Sequence, residues 1–206
     1  MQTLIIPGWY GSGPDHWQSW WLATDREAAL VAQDDWAHPS LDSWVASAAR
    51  AIAAAPDSVL VAHSLGVALV AHLAARLPHL PIAGALLVSP ADVDDRSWTS
   101  PELGGFAPLP TRRLPFPSVV VASRNDPYVT FGRALELSEA WGSELVDVGL
   151  AGHINADSGF GPWPEGRRLA RRILDRAASE ERTPDIPAPR LEWPFAERPQ
   201  RRAAVR

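Results

Sequence analysis

The segment Val61-Ala62-His63-Ser64-Leu65-Gly66 places a serine between two apolar runs of different character. Before it lies Ser58–Ala62 (SVLVA), continuous enough for a strand covered on both faces. After it, Leu65–Leu77 has the composition of a buried helix and stops at Pro78. A serine on a tight strand-to-helix turn, with small residues two places to either side, is the pattern G-x-S-x-G, here with Ala62 in the first position. The small residues let the two backbones approach, and the turn lifts the hydroxyl above the carboxyl edge of the sheet. The helix N-terminus then favours negative charge developing nearby. The bland reading is a turn whose serine merely caps a helix. The placement between a buried strand and a helix favours the nucleophile.

A serine hydroxyl attacks a carbonyl only when a positioned base takes its proton. Six histidines are available. His63 adjoins the serine but is expected to project away from it. His16 and His38 fall in early loops, and His72 and His79 lie on or after the helix that follows Ser64. His153, in Leu150-Ala151-Gly152-His153-Ile154-Asn155, comes directly after the last expected strand, with Gly152 to turn the chain back over the sheet edge. A third group must hold the imidazole in the right tautomer. Asp126, in Ser123-Arg124-Asn125-Asp126-Pro127, follows a strand and is the first choice. Asp92 follows the preceding strand and is its rival, whereas Asp157 is too near His153 in sequence. The order Ser, Asp, His is one of the known orders for such a triad, and each residue would sit at a carboxyl strand end. Two backbone N–H groups are also needed for an oxyanion. Leu65 should supply one, and Trp9, in the glycine-rich loop 7–13, the other.

Absences narrow the chemistry further. The chain has no cysteine and no lysine, and all 19 of its basic residues are arginine. Thiol nucleophiles, thiolate metal sites, Schiff bases, Ser-Lys dyads and P-loop phosphate binding are therefore excluded. No cofactor or metal is expected. A net charge of −5 argues against nucleic acid or an anionic membrane as partner. The N-terminal apolar run is too short for a signal peptide, and no stretch reaches the ~18 apolar residues of a spanning helix. A cytoplasmic location is expected.

The elements that must hold these groups alternate. Strands are expected at Thr3–Ile6, Ala28–Val31, Ser58–Ala62, Ile82–Val88, Ser118–Ala122 and Glu144–Val148. Helices are expected after Asp15, as their cap, and after Ser40, then at Leu65–Leu77, Thr130–Trp141 and Pro164–Ala178. Such alternation implies right-handed βαβ units, a mostly parallel sheet and the α/β class. Ala91–Pro117 breaks the rhythm and reads as a loop over the site, with Trp98, Phe106 and Leu109 as candidate walls of a substrate pocket. Residues 1–180 form the expected domain. Residues 181–206, rich in proline and arginine, read as a poorly ordered or surface-hugging tail, in which Trp193 and Phe195 could dock.

The combination of IIPGW, DHW, VAHSLG, SRNDPYV and GHIN followed by Gly-x-x-Pro-Trp-Pro resembles the small YdeN-type serine hydrolases, a family that includes the retinoblastoma-binding serine hydrolase. The resemblance covers roughly residues 1 to 178. It implies an α/β-hydrolase fold without a large cap domain, a triad of Ser64, Asp126 and His153, and esterase-type activity on small acyl substrates. Ala62 departs from the general hydrolase pattern but fits this family. The competing expectation is a protein-interaction module on a hydrolase scaffold, for which ten tryptophans offer aromatic surface. Its partner would be unknown. Three triad residues at the right strand ends argue against a purely binding role.

Overall fold

The computed structural model describes residues 2–181. The expected tail beyond them, with Trp193 and Phe195, lies outside the described residues. Six strands, β1 (Thr3–Ile6), β2 (Ala28–Leu30), β3 (Ser58–His63), β4 (Ile82–Val88), β5 (Ser118–Ala122) and β6 (Glu144–Asp147), form one sheet in the order β2-β1-β3-β4-β5-β6. All five pairings are parallel. The sequence order reverses direction beside β1 and β3, and a doubly wound sheet opens its crevice at such a point.

Five helices cover the two faces: α1 (Trp17–Thr24), α2 (Leu41–Ala54), α3 (Leu65–Arg76), α4 (Phe131–Trp141) and α5 (Pro164–Glu181). The period-2 alternation of the strands sorts the core. Leu4, Ile6, Leu60, Ala62, Ala85 and Leu87 pack with α2, α3 and Trp141 of α4. Ile5, Val59, Val61, Leu86 and Val88 pack against Trp17 and Trp21 of α1 and Ile173 of α5. Both sides of β3 and β4 are thus covered, which is why their sequences are continuously apolar rather than alternating.

The helix ends show which local signals operate. Thr130 accepts a hydrogen bond from the Arg133 amide at the start of α4, and Gly142 closes that helix in the left-handed region. At α1 the expected cap, Asp15, is displaced by His16, whose ring accepts from the Gln18 amide. Ser40 occupies the cap position of α2 without a side-chain bond. The loop Ala91–Pro117 contains one 3₁₀ segment, Pro101–Phe106. Among the described residues no helix is long and apolar enough to cross a membrane.

Among the described glycines, the one pressed closest against neighbouring backbone lies where β1 ends and α3 begins. A Cβ on Gly66 would stand 2.5 Å from the Ile6 carbonyl oxygen and 2.7 Å from that of Pro7. Both obstacles are backbone and cannot swing aside. Gly66→Ala should therefore destabilise the fold by about 1–3 kcal/mol, read as a lower urea midpoint at unchanged m-value. A variant as stable as the parent would mean that this contact does not constrain the turn.

Candidate active site

Ser64 lies at the end of β3 with φ 56° and ψ −123°, a conformation that L-residues avoid. It is held by its neighbours: the Ser64 amide donates to the Val88 carbonyl at 3.0 Å, and its own carbonyl accepts from Val67 and Ala91. The loop after β1 passes directly over the serine, since a Cβ on Gly8 would lie 2.7 Å from Ser64 Cβ. Tyr10, Ser89 and Ile154, all non-glycine, also have positive φ at this carboxyl edge. Strained backbone concentrated at one edge is typical of functional sites.

His153 reaches Ser64 from the far side of the chain. Its Nε2 is 2.9 Å from Ser64 Oγ, and its Nδ1 is 2.9 and 3.0 Å from the two Asp126 carboxylate oxygens. Because the carboxylate can only accept, Nδ1–H donates to Asp126, which leaves Nε2 to accept from the serine hydroxyl. The Asp126 side chain is fully covered, and its carboxylate also accepts from the Tyr128 amide at 3.0 Å. Asp92 is engaged elsewhere, with Arg133 at 3.4 Å. Asp157 lies at the cavity rim.

The loop carrying His153 is braced at several points. Gly152 takes φ 56°, the turn its sequence position suggested. The Asn125 side-chain oxygen accepts from the Gly152 amide at 2.8 Å, and Ser158 Oγ accepts from the His153 amide at 3.0 Å. Trp17 Nε1 donates to the Ile154 carbonyl at 2.8 Å. Two further contacts escaped sequence reasoning. His63 Nε2 donates to the His153 carbonyl at 2.9 Å, so the residue before the serine does project away from it and holds the main chain at His153. Gln18, fully buried, donates to the Ile6 and Val61 carbonyls and ties α1 to the ends of β1 and β3. Neither contact has a local signal, because each joins residues far apart in sequence. The motif DHW was the only pointer to that region.

A cavity of about 500 Å³ opens on Ser64 and His153. Trp9 and Leu65, expected as amide donors, and Trp98, expected as a pocket wall, line it. Phe106 and Leu109 do not. Phe106 is fully buried, edge-on to Trp44 with its carbonyl on His72, and Leu109 is buried in the same core. An aperiodic loop gives no means of telling a pocket wall from a core plug. Among the described residues, neither the Trp9 nor the Leu65 amide has a hydrogen-bond partner. Tyr128, which the sequence did not single out, stands edge-on to His153 with ring centroids 4.6 Å apart.

The sheet, the strained serine at a strand-to-helix turn and the histidine and aspartate at later strand ends define the α/β-hydrolase class. The family model described as serine hydrolase matches residues 3–172, and the chain belongs to that family. It is 34% identical to a YdeN-like hydrolase of Pectobacterium atrosepticum, over 84% of this chain and 91% of that one, with a TM-score of 0.73. The ydeN gene product of Bacillus subtilis is 23% identical over 84% of this chain and 98% of its own, at a TM-score of 0.66. A Bacillus cereus carboxylesterase shares the fold at 16% identity, over 85% and 88% of the two chains, at a TM-score of 0.52. Among curated protein sequences there is no significant match.

Three imidazoles line up beside the serine. His16 and His63 stand 4.8 Å apart by ring centroid, and His63 and His153 are equally close. Burial first, and then the proximity of His153, lowers His16 to about 4. Burial, followed by His153 and His16, holds His63 well below the ordinary imidazole value. Both rings are therefore neutral at pH 7. An unfolded chain would bind protons on both near pH 6.5, so it binds more protons than the folded chain as pH falls below that value. Stability contributed by keeping these rings neutral is present above pH 6.5 and falls as the pH drops below it, for His16 down to about pH 4. For His16 the loss from pH 7 to pH 5 should be about 2 kcal/mol. His16→Asn should flatten the pH dependence of the urea unfolding free energy by its own share over that interval. Parallel curves for the variant and the parent would contradict neutral burial of His16.

Proposed function

We propose that the protein is an acyl hydrolase of the carboxylic ester class, acting on small esters or amides through a covalent acyl-enzyme. The observation that carries this reading is the continuous hydrogen-bonded chain from Ser64 Oγ through His153 to Asp126, with each bond near 2.9 Å. Ser64 attacks the carbonyl carbon while His153 Nε2 takes the hydroxyl proton. Asp126 keeps Nδ1 protonated and stabilises the imidazolium that forms. The oxygen that becomes negative meets the free amides of Leu65 and Trp9, which need no reorganisation to receive it. His153 then gives its proton to the departing oxygen or nitrogen, and the acyl group stays on Ser64. Water, deprotonated by the same imidazole, releases the acid. Two neutral rings at His63 and His16 add no competing charge when His153 becomes positive.

Ser64→Ala should abolish covalent labelling by a fluorophosphonate and lower p-nitrophenyl ester turnover by ~10⁴-fold or more, because the three groups act as a unit. Labelling that persists on another serine would move the nucleophile. Asp126→Asn should lower kcat by several orders of magnitude by favouring the wrong tautomer. Asp92→Asn, which removes only a partner of Arg133, should cost less than about tenfold. The reverse ranking in two folded variants, checked by circular dichroism, would transfer the acid role to Asp92.

A further inference from the structure

The cavity above Ser64 joins aromatic walls to a single acid. Trp9 and Tyr10, which line it, stack with ring centroids 4.7 Å apart. Trp98 and Tyr128, also in its lining, meet edge-on at 5.1 Å. Tyr10 is 67% exposed and Tyr128 38%, so core packing does not account for either ring. Asp157 is the one acidic residue in the lining, it is exposed, and no arginine lines the cavity. Among the described residues its carboxylate has neither a hydrogen bond nor an ion pair. The neighbouring acids of the same sheet edge are all engaged. Asp126 holds His153, Asp92 meets Arg133 and Asp147 meets Arg124. An uncompensated carboxylate beside open aromatic rings favours a cation, because the ring faces are negative and the carboxylate adds a full charge. An anion would meet the opposite field.

We propose that the cavity selects esters of cationic amino alcohols, with Asp157 and the exposed rings of Tyr10 and Tyr128 receiving the ammonium group. The proposal rests on the acyl-hydrolase reading of Ser64. That the charge belongs on the alcohol follows from where Asp157 sits. It lies in the 3₁₀ turn Ala156–Ser158, which is tied to the base by Ser158 Oγ accepting from the His153 amide at 3.0 Å. Tyr128 stands edge-on to the His153 ring itself. His153 gives its proton to the departing oxygen, so the alcohol leaves along the flank that carries both residues. Leu65, Ala91 and Leu103 line the same cavity and offer an acyl chain only apolar contact. A volume of about 500 Å³ holds a short acyl group together with a compact ammonium.

Two pairs of esters, each matched in shape and differing by a positive nitrogen for a carbon, test the proposal on the full chain. In the alcohol pair acetylcholine is compared with 3,3-dimethylbutyl acetate. In the acyl pair methyl 4-(trimethylammonio)butanoate is compared with methyl 5,5-dimethylhexanoate. Each ratio of kcat/KM is divided by the ratio for hydroxide hydrolysis at the same ionic strength. The wild type should favour acetylcholine by about fivefold or more, and the acyl pair should stay within about twofold of one. Asp157→Asn keeps the size of the side chain and removes its charge. It should lower the acetylcholine preference by about threefold or more, and Asp157→Arg should lower it further.

A wild-type alcohol ratio near one overturns the proposal without reference to any variant. A preference that both substitutions leave intact, in proteins with native circular dichroism, overturns it as well. So does a larger preference in the acyl pair, because the cation would then sit on the acid side. Fluorophosphonate labelling of wild-type Ser64 separates the two levels of failure. Labelling without cation selectivity removes only the Asp157 subsite, whereas no labelling removes the hydrolase reading on which it stands.

Discussion

The carbonyls of Ile6 and Pro7 press against Gly66, and the site follows from that closeness. With no Cβ in the way, α3 starts immediately above the ends of β1 and β3. The chain can make that junction only by placing Ser64 in a left-handed conformation. The strain costs on the order of 1–3 kcal/mol. It is offset by the hydrogen bonds on either side of the serine and by the burial of β3 and α3, whose apolar residues are almost entirely covered. What the arrangement yields is a hydroxyl raised above the sheet, next to amides at the start of a helix and in the β1 loop that are unpaired among the described residues. The same closeness explains why Gly8 passes over the serine without a side chain.

Around this fixed point the remaining groups are brought in by long-range ties. Trp17 joins α1 to the His153 loop, and Trp21 Nε1 donates to the Pro162 carbonyl at 3.0 Å. Trp141 Nε1 reaches Pro110 at 2.8 Å, and Trp9 Nε1 reaches Ala37 at the same distance. Each indole buries its ring in or against the core while its nitrogen satisfies a loop carbonyl, the dual use to which tryptophan is suited. Much of the aromatic content that might have suggested a binding surface is thereby engaged in holding loops. His63 and Gln18 serve the same end with polar groups, and burial keeps His63 uncharged.

The sheet was legible in the sequence because buried parallel strands write themselves as short unbroken apolar runs, and Ser58–Ala62 and Ser118–Ala122 are clear examples. The convergence of Ser64, Asp126 and His153 was legible because each follows such a run, so that strand position stood in for spatial position. The cap of α1 was misplaced by one residue. Asp15 has the better intrinsic preference, but His16 can satisfy the Gln18 amide from inside the core. The roles of Phe106 and Leu109 were misread because an aperiodic loop carries no register from which to tell pocket from core. The bond from His63 to the His153 carbonyl spans 90 positions and has no trace in local pattern.

In the proposed reaction an acyl group passes through Ser64. Rapid acid quench of the wild-type protein with p-nitrophenyl acetate, followed by mass spectrometry of the digest, tests it directly. One acetyl group should appear on the peptide containing Ser64 within the first turnover and decay as substrate is exhausted. Turnover with no acylated peptide at any time, or with the acetyl group on a different residue, would contradict it.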